Sequence, residues 1–154
     1  MASSDSSQQL VSFQLGAEKY GIDIMDVKEI VDYEEIREIP NAPLYVEGIY
    51  NLRGEIIPVI NLHRRFHLNR PEATEEDSLL ILTIDGLELG IIVDKVLRVV
   101  MISLDDVQTP PQMISGIGAE YIQGVVNYDD GYLIILDTRR LFDPEELKQL
   151  SQYT

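Results

Sequence analysis

The feature that most constrains this chain is an internal repeat. Tyr45 to Phe66 reads YVEGIYNLRGEIIPVINLHRRF. Seventy-six residues later Tyr121 to Phe142 reads YIQGVVNYDDGYLIILDTRRLF. Tyr45, Gly48, Asn51, Arg64 and Phe66 recur without a gap as Tyr121, Gly124, Asn127, Arg140 and Phe142. An earlier stretch repeats at an offset of sixty-nine, LVSFQLGAEKYGIDIMDVKEIV at Leu10 against LLILTIDGLELGIIVDKVLRVV at Leu79, with Leu10/Leu79, Gly21/Gly90, Ile22/Ile91, Val27/Val96 and Val31/Val100 identical. Chance supplies about one or two identities in a window of this length, so the chain is a duplicated module. The period is too long for a solenoid.

Each copy reads as a set of short strands. Val11, Phe13 and Leu15 alternate with Ser12 and Gln14, the period of a half-buried strand. Tyr20 to Ile24 is a second strand. Met25 to Val31 fits either a helix or a strand; its β-branched residues and lack of caps favour strand. Ile36 to Ile39 is a short β-like piece, after which Asn41 and Pro43 read as the start of a brief helix. Ile49 to Ile60 forms a hairpin turning at Arg53-Gly54, and Leu62 to Phe66 one helical turn. Asn69 to Asp77 is polar and carries Pro71, so it reads as the linker. Asp85-Gly86 signals a second hairpin, Pro110-Pro111 a break, and Ile114 to Ala119 a flexible loop. Asp143, Pro144 and Glu146 form a capping box for a terminal helix at about 144–150.

The pattern predicts a mostly β protein built as two five-stranded barrels, about 10–70 and 77–142, behind a disordered tail over 1–9. One larger β-sandwich fits the same strand count. Barrels this small have marginal cores, so the halves are expected to pack together. A groove between them, lined by Val and Ile and rimmed by charge, is then a candidate binding site. A first or last strand exchanged between the barrels would shift the boundary.

The chemistry-bearing residues argue against catalysis. His63 and His67 stand at i, i+4, but Arg64 and Arg65 between them repel a cation; solvated side chains are expected instead. Asp105-Asp106, Asp129-Asp130 and Glu145-Glu146 sit in turns or at a helix start, where acids belong for local reasons. No phosphate loop or nucleophile elbow is present. The absence of Cys rules out disulfides and fits a cytoplasmic protein. A net charge of −15 argues against nucleic acid and against an anionic membrane surface. No apolar run approaches the ~18 residues of a membrane span, and MASSDSSQQ has no signal-peptide pattern. No cofactor is expected.

Arg53 stands out: a planar, forked cation at the tip of an apolar hairpin. It reads as an exposed turn residue, as a salt bridge to Glu29, or as a docking anchor, and the last two are compatible.

The segments YGIDI-x2-VKEI, VEG-x2-NLRG-x2-IPVINL and LGIIVDKV, spread over Leu10 to Leu150, resemble the CheW family of chemotaxis coupling proteins. The regulatory domain of the histidine kinase CheA and the first domain of CheV share these motifs, but the chain is too short for a kinase or a receiver. The resemblance implies two SH3-like five-stranded barrels around a shared core, and a non-enzymatic adaptor. Its implied partners are the CheA regulatory domain and the cytoplasmic tip of chemoreceptors, in arrays at the membrane without insertion into it. By the same resemblance Arg53 and Glu29 are a coupling pair, and Val27, Ile30, Gly48, Asn51 and Gly54 lie near receptor or kinase contacts. Ile91 and Val93 would line the groove. The second copy has Asp129 in place of the arginine, so the halves should not bind one partner alike. A scaffold of another receptor–kinase pathway, for pilus motility or development, is the alternative; a binder of Pro-rich peptides fits less well because few aromatics are present.

Overall fold

The structure is a computed structural model and describes residues 7–32, 36–68, 77–109, 119–129 and 131–153. All but Asp77 of the linker expected over Asn69 to Asp77, most of the 114–119 loop and the start of the tail lie outside these residues. Among the described residues ten strands form: β1 (Ser7–Leu15), β2 (Glu18–Asp23), β3 (Val27–Asp32), β4 (Val46–Leu52), β5 (Glu55–Asn61), β6 (Ser78–Ile84), β7 (Leu87–Val93), β8 (Lys95–Ser103), β9 (Ile122–Tyr128) and β10 (Gly131–Leu136). The described residues also include the α-helices α1 (Leu62–Arg65) and α2 (Pro144–Ser151) and short 3-10 turns. Ser7, Gln8 and Gln9, expected in the tail, are strand: they pair with Ser103, Ile102 and Met101 of β8. Met25 lies within a single 3-10 turn (Ile24–Asp26), and the strand favoured by the sequence starts at Val27. The brief helix expected at Asn41 is absent. Asn41 sits at φ 62°, in the left-handed region, where a helix cap needs an extended backbone.

The strands make two five-stranded sheets, ordered β8-β1-β2-β10-β9 and β3-β6-β7-β5-β4. Under the repeat, β1 to β5 correspond to β6 to β10, so the two orders are the same order. Each sheet combines the first two strands of one copy with the last three of the other. The exchange is reciprocal, and the sequence halves 10–70 and 77–142 are therefore not the structural halves. The exchanged pairs β2–β10 and β5–β7 are parallel, while the hairpins within each copy are antiparallel.

Each sheet is open along the seam between its two edge strands and curls over a small apolar cluster of its own. Leu52, Ile57, Val59, Leu79, Ile81 and Ile92 fill one, and Leu10, Ile102, Val126, Leu133 and Ile135 the other. The opposite faces meet in a larger central core that includes Val11, Phe13, Tyr20, Ile60, Phe66, Leu80, Ile91, Val93, Ile134 and Phe142. Strands buried on both faces read as continuous apolar runs, as Leu89 to Val93 does. Hence Ser12 is buried rather than solvent-facing. Its hydroxyl donates to the Arg98 carbonyl at 2.7 Å and accepts from the Arg98 N–H at 3.1 Å, where the β1–β8 register shifts.

The two copies meet through their repeated aromatics. Tyr45 packs on Phe142 (5.8 Å between ring centroids), and Tyr121 packs reciprocally on Phe66 (5.2 Å). Arg65 breaks that symmetry. Its guanidinium lies 4.8, 5.3 and 5.2 Å from the rings of Tyr45, Tyr121 and Phe142 and makes two bonds to Glu146 of α2, at 2.8 and 2.7 Å. Burial opposes the charge on Arg65, but the Glu146 carboxylate outweighs it and holds the pKa above the ordinary arginine value. The same burial pushes the Tyr45 hydroxyl up to about 12. Helix α2 carries the expected capping box between Asp143 and Glu146 and buries Leu150.

Candidate functional site

Leu52 pairs with Glu55, leaving Arg53 and Gly54 as the two-residue turn between β4 and β5. Both have positive φ, 50° and 92°, as the twist-matched hairpin turn demands. Asn51 fixes it by accepting the Gly54 N–H on Oδ1 at 2.8 Å. The guanidinium is thereby held out at the tip and spans the seam to β3, donating from Nη1 to Glu29 Oε1 at 3.2 Å and from Nη2 to Glu29 Oε2 at 2.5 Å. This is the partner expected from the sequence. The forked bond brings the two edges of the sheet together by side chains. Its hydrogen bonds hold the Glu29 carboxyl below its ordinary value and Arg53 above its own. Arg53 remains 68% exposed and Glu29 27%, so the cation faces solvent with its carboxylate behind it.

The strands that carry the pair also expose apolar side chains, Ile30 of β3 and Ile56 of β5, and Met25, in the turn before β3, is 85% exposed. Val27 is half-buried against the central core. Lys28 bonds Glu88 at 2.6 Å, a pair the sequence reading missed because the two residues lie sixty apart on strands brought together only by the exchange.

Three predicted residues are placed differently. Gly48 is buried: a Cβ there would lie 2.2 Å from the Arg37 carbonyl oxygen, where Arg37 and Ile49 exchange backbone bonds of 3.0 and 2.8 Å across β4. Ile91 and Val93 are fully buried. They do lie between the two sheets, but that space is packed core, not the groove expected, and no partner reaches them in this arrangement. His63 is also buried rather than solvated, with Nε2 3.3 Å from Asp94 Oδ1. Among the described residues no group of three or more His, Cys, Asp or Glu could hold a metal.

At the matching seam of the other sheet, Arg98 of β8 donates from Nε to the Tyr128 hydroxyl at 2.9 Å and lies 3.5 Å from Asp129, which is 3.4 Å from Lys19. Lys19 and Arg98 stand 5.4 and 5.1 Å from the Tyr128 ring. The repeat itself was the signal for this second end, since it aligns Arg53 with Asp129.

Two sheets of one architecture, each ending in a charged hairpin tip beside exposed apolar side chains, define a module for binding proteins. The chain belongs to the CheW family: the model of the CheW-like domain matches residues 9–146. The chemotaxis protein CheW of Treponema pallidum (strain Nichols) is 56% identical over 98% of this chain and 91% of that protein. That of Klebsiella aerogenes is 32% identical over 91% and 84%. Among solved structures, the scaffolding protein TtCheW from Thermoanaerobacter tengcongensis superposes with a TM-score of 0.81 at 38% identity, covering 88% of each chain.

Proposed function

We propose that this chain is a chemotaxis adaptor that binds the regulatory domain of the histidine kinase CheA and the cytoplasmic tip of chemoreceptors, so that the state of one alters the other. The observation that carries this reading is the Arg53–Glu29 pair, an outward guanidinium braced by a carboxylate, on strands that also carry the exposed Ile30 and Ile56. A braced arginine beside apolar side chains is the composition of a binding hot spot. Family membership and the names of the relatives support the same role. Val27, Ile30, Asn51 and Gly54 are proposed to contribute to the contact surface, Asn51 and Gly54 by shaping the tip. The adaptor supplies binding rather than chemistry: it couples partners by preferring one kinase state over another. It works in the cytoplasm at receptor arrays; no described helix is long and apolar enough to cross a membrane. The test is calorimetric titration of the purified chain with a CheA regulatory domain and, separately, with a receptor cytoplasmic fragment. Binding to both is expected; binding to neither overturns the reading.

A further inference from the structure

The repeat brings out two cations whose counterparts have acidic partners that they themselves lack. In the first copy His63 lies 3.3 Å from Asp94, and Arg64 donates to the Leu44 carbonyl at 3.3 Å and stands 3.7 Å from Glu47. The offset of seventy-six aligns His63 and Arg64 with Arg139 and Arg140, and Glu47 with Gln123. The offset of sixty-nine aligns Asp94 with Met25. Neutral residues thus stand where both acids would be, while the histidine position holds a side chain that is always charged. The acid next to Met25, Asp26, accepts the Thr138 hydroxyl at 2.8 Å. Among the described residues no carboxylate pairs with the Arg139 side chain, and Arg140 reaches only Asp137, at 3.5 Å. Asp137 is itself engaged, since its Oδ1 accepts the Arg139 N–H at 3.1 Å.

Arg139 and Arg140 line one cavity of about 520 Å³, between the Thr138–Arg140 turn and the start of α2, with Tyr121, Phe142 and Pro144 in its wall. That is the size of a small-molecule site. Two of its acids are already committed: Glu146 holds Arg65, and Asp143 caps α2. Glu120 remains to oppose an incoming anion. The N-terminus of α2 is closed by its own capping box and adds nothing. One guanidinium saturates a carboxylate with two parallel bonds, so two in one cavity exceed what a carboxylate accepts and suit the oxygens of a phosphoryl group. A dianion also keeps a net attraction in the presence of Glu120, where a monoanion gains little. We propose that this cavity binds a small phosphate monoester, its phosphoryl oxygens on Arg139 and Arg140 and its apolar body against Tyr121, Phe142 and Pro144. The site is separate from the Arg53 tip and does not depend on the adaptor reading.

The test is calorimetric titration of the full-length chain with phenyl phosphate, with benzoate, which shares the ring, and with inorganic phosphate, which shares the head. The same titrations are made on Arg139→Gln/Arg140→Gln. Both side chains are exposed, so the double variant is expected to fold with an unchanged melting temperature. Phenyl phosphate is expected to bind the wild-type chain at least tenfold more tightly than either of the other probes, and its affinity to fall at least tenfold in the double variant. Absence of phenyl phosphate binding to wild type overturns the site, and so does an affinity within twofold of wild type in the double variant. Benzoate binding as tightly as phenyl phosphate overturns the phosphoryl assignment, and inorganic phosphate binding as tightly overturns the apolar body. Should the double variant fail to fold, Arg139→Gln alone is read by the same criteria.

Discussion

Arg65 donates from Nε to the backbone carbonyl of Leu141 at 3.0 Å, and Leu141 is the residue that occupies its own place in the second copy. One copy thus reaches across the centre of the molecule to its counterpart. With three aromatic rings around it and both Glu146 oxygens bound, Arg65 fastens the two copies and α2 at one point.

Arg65→Ala removes charge-assisted bonds and ring contacts together. A loss of about 2–3 kcal/mol is expected, in the range of hydrogen bonds to charged groups. Glu146→Ala should cost nearly as much, because it leaves a largely buried cation without its carboxylate. The double variant should then fall well short of the sum. Urea denaturation of all three checks this; additive losses would mean that the two residues act independently.

Arg53→Ala is expected to leave the melting temperature almost unchanged, since the pair is solvent-screened, while receptor control of kinase activity is lost. Reconstituted receptor–kinase assays read the second effect. An unfolded variant would make Arg53 chiefly structural.

The pH dependence follows from the directions of the shifts. Glu29 and Glu88 are held below the ordinary carboxyl value of 4.5, Glu29 by hydrogen bonds from Arg53 and Glu88 by one from Lys28. Their contribution is complete above about pH 4.5 and disappears as pH falls through the lowered folded values. Lys28 is raised above 10.5 by its bond to Glu88, so its contribution is complete below that value and disappears as pH rises through the raised one. Melting curves of wild type and Glu29→Gln should differ only by a small, constant amount from about pH 5 to about pH 10, because the pair is solvent-screened, and converge in acid. A gap that persists in acid would trace the effect to something other than the carboxylate.

Gly48→Ala should destabilise by about 1–3 kcal/mol, because backbone, not a movable side chain, occupies the place of the new methyl. Gly124→Ala should behave similarly, its Cβ meeting Val107 Cγ1 at 2.4 Å and the Gln108 carbonyl oxygen at 2.9 Å. Thermal or urea unfolding measures both.

Val27→Asp introduces a carboxylate at a half-buried position against the central core. It is expected to weaken receptor binding at least tenfold, with a loss of stability from desolvating the charge. Receptor affinity unchanged in the folded variant would remove Val27 from the interface.

Much of this was legible in the sequence because it is local or repeated. The Arg53-Gly54 and Asp85-Gly86 turns follow from residue type. The Arg53–Glu29 pair follows from an unexplained cation and an available acid. What did not show was which copy's strands share a sheet. Strands buried on both faces, such as Leu89 to Val93, carry no alternation that separates one apolar face from the other, so nothing in the sequence corrected the groove-lining role that the family resemblance implied for Ile91 and Val93. His63 gave no sign of burial, since its place opposite Asp94 exists only once β7 has crossed to β8. The partner of Lys28 was hidden for the same reason.

The reciprocal exchange has a consequence for how such a chain can come into being. A single copy, β1 to β5, owns two strands of one sheet and three of the other, and completes neither. Before duplication, a one-copy ancestor with this topology would have folded only as an intertwined homodimer, two identical chains lending each other their first hairpins. The linker between the copies then turned an encounter between two molecules into an event within one. The same geometry delays folding: β1 and β2 emerge from the ribosome early but find the rest of their sheet only after β8 to β10 have followed.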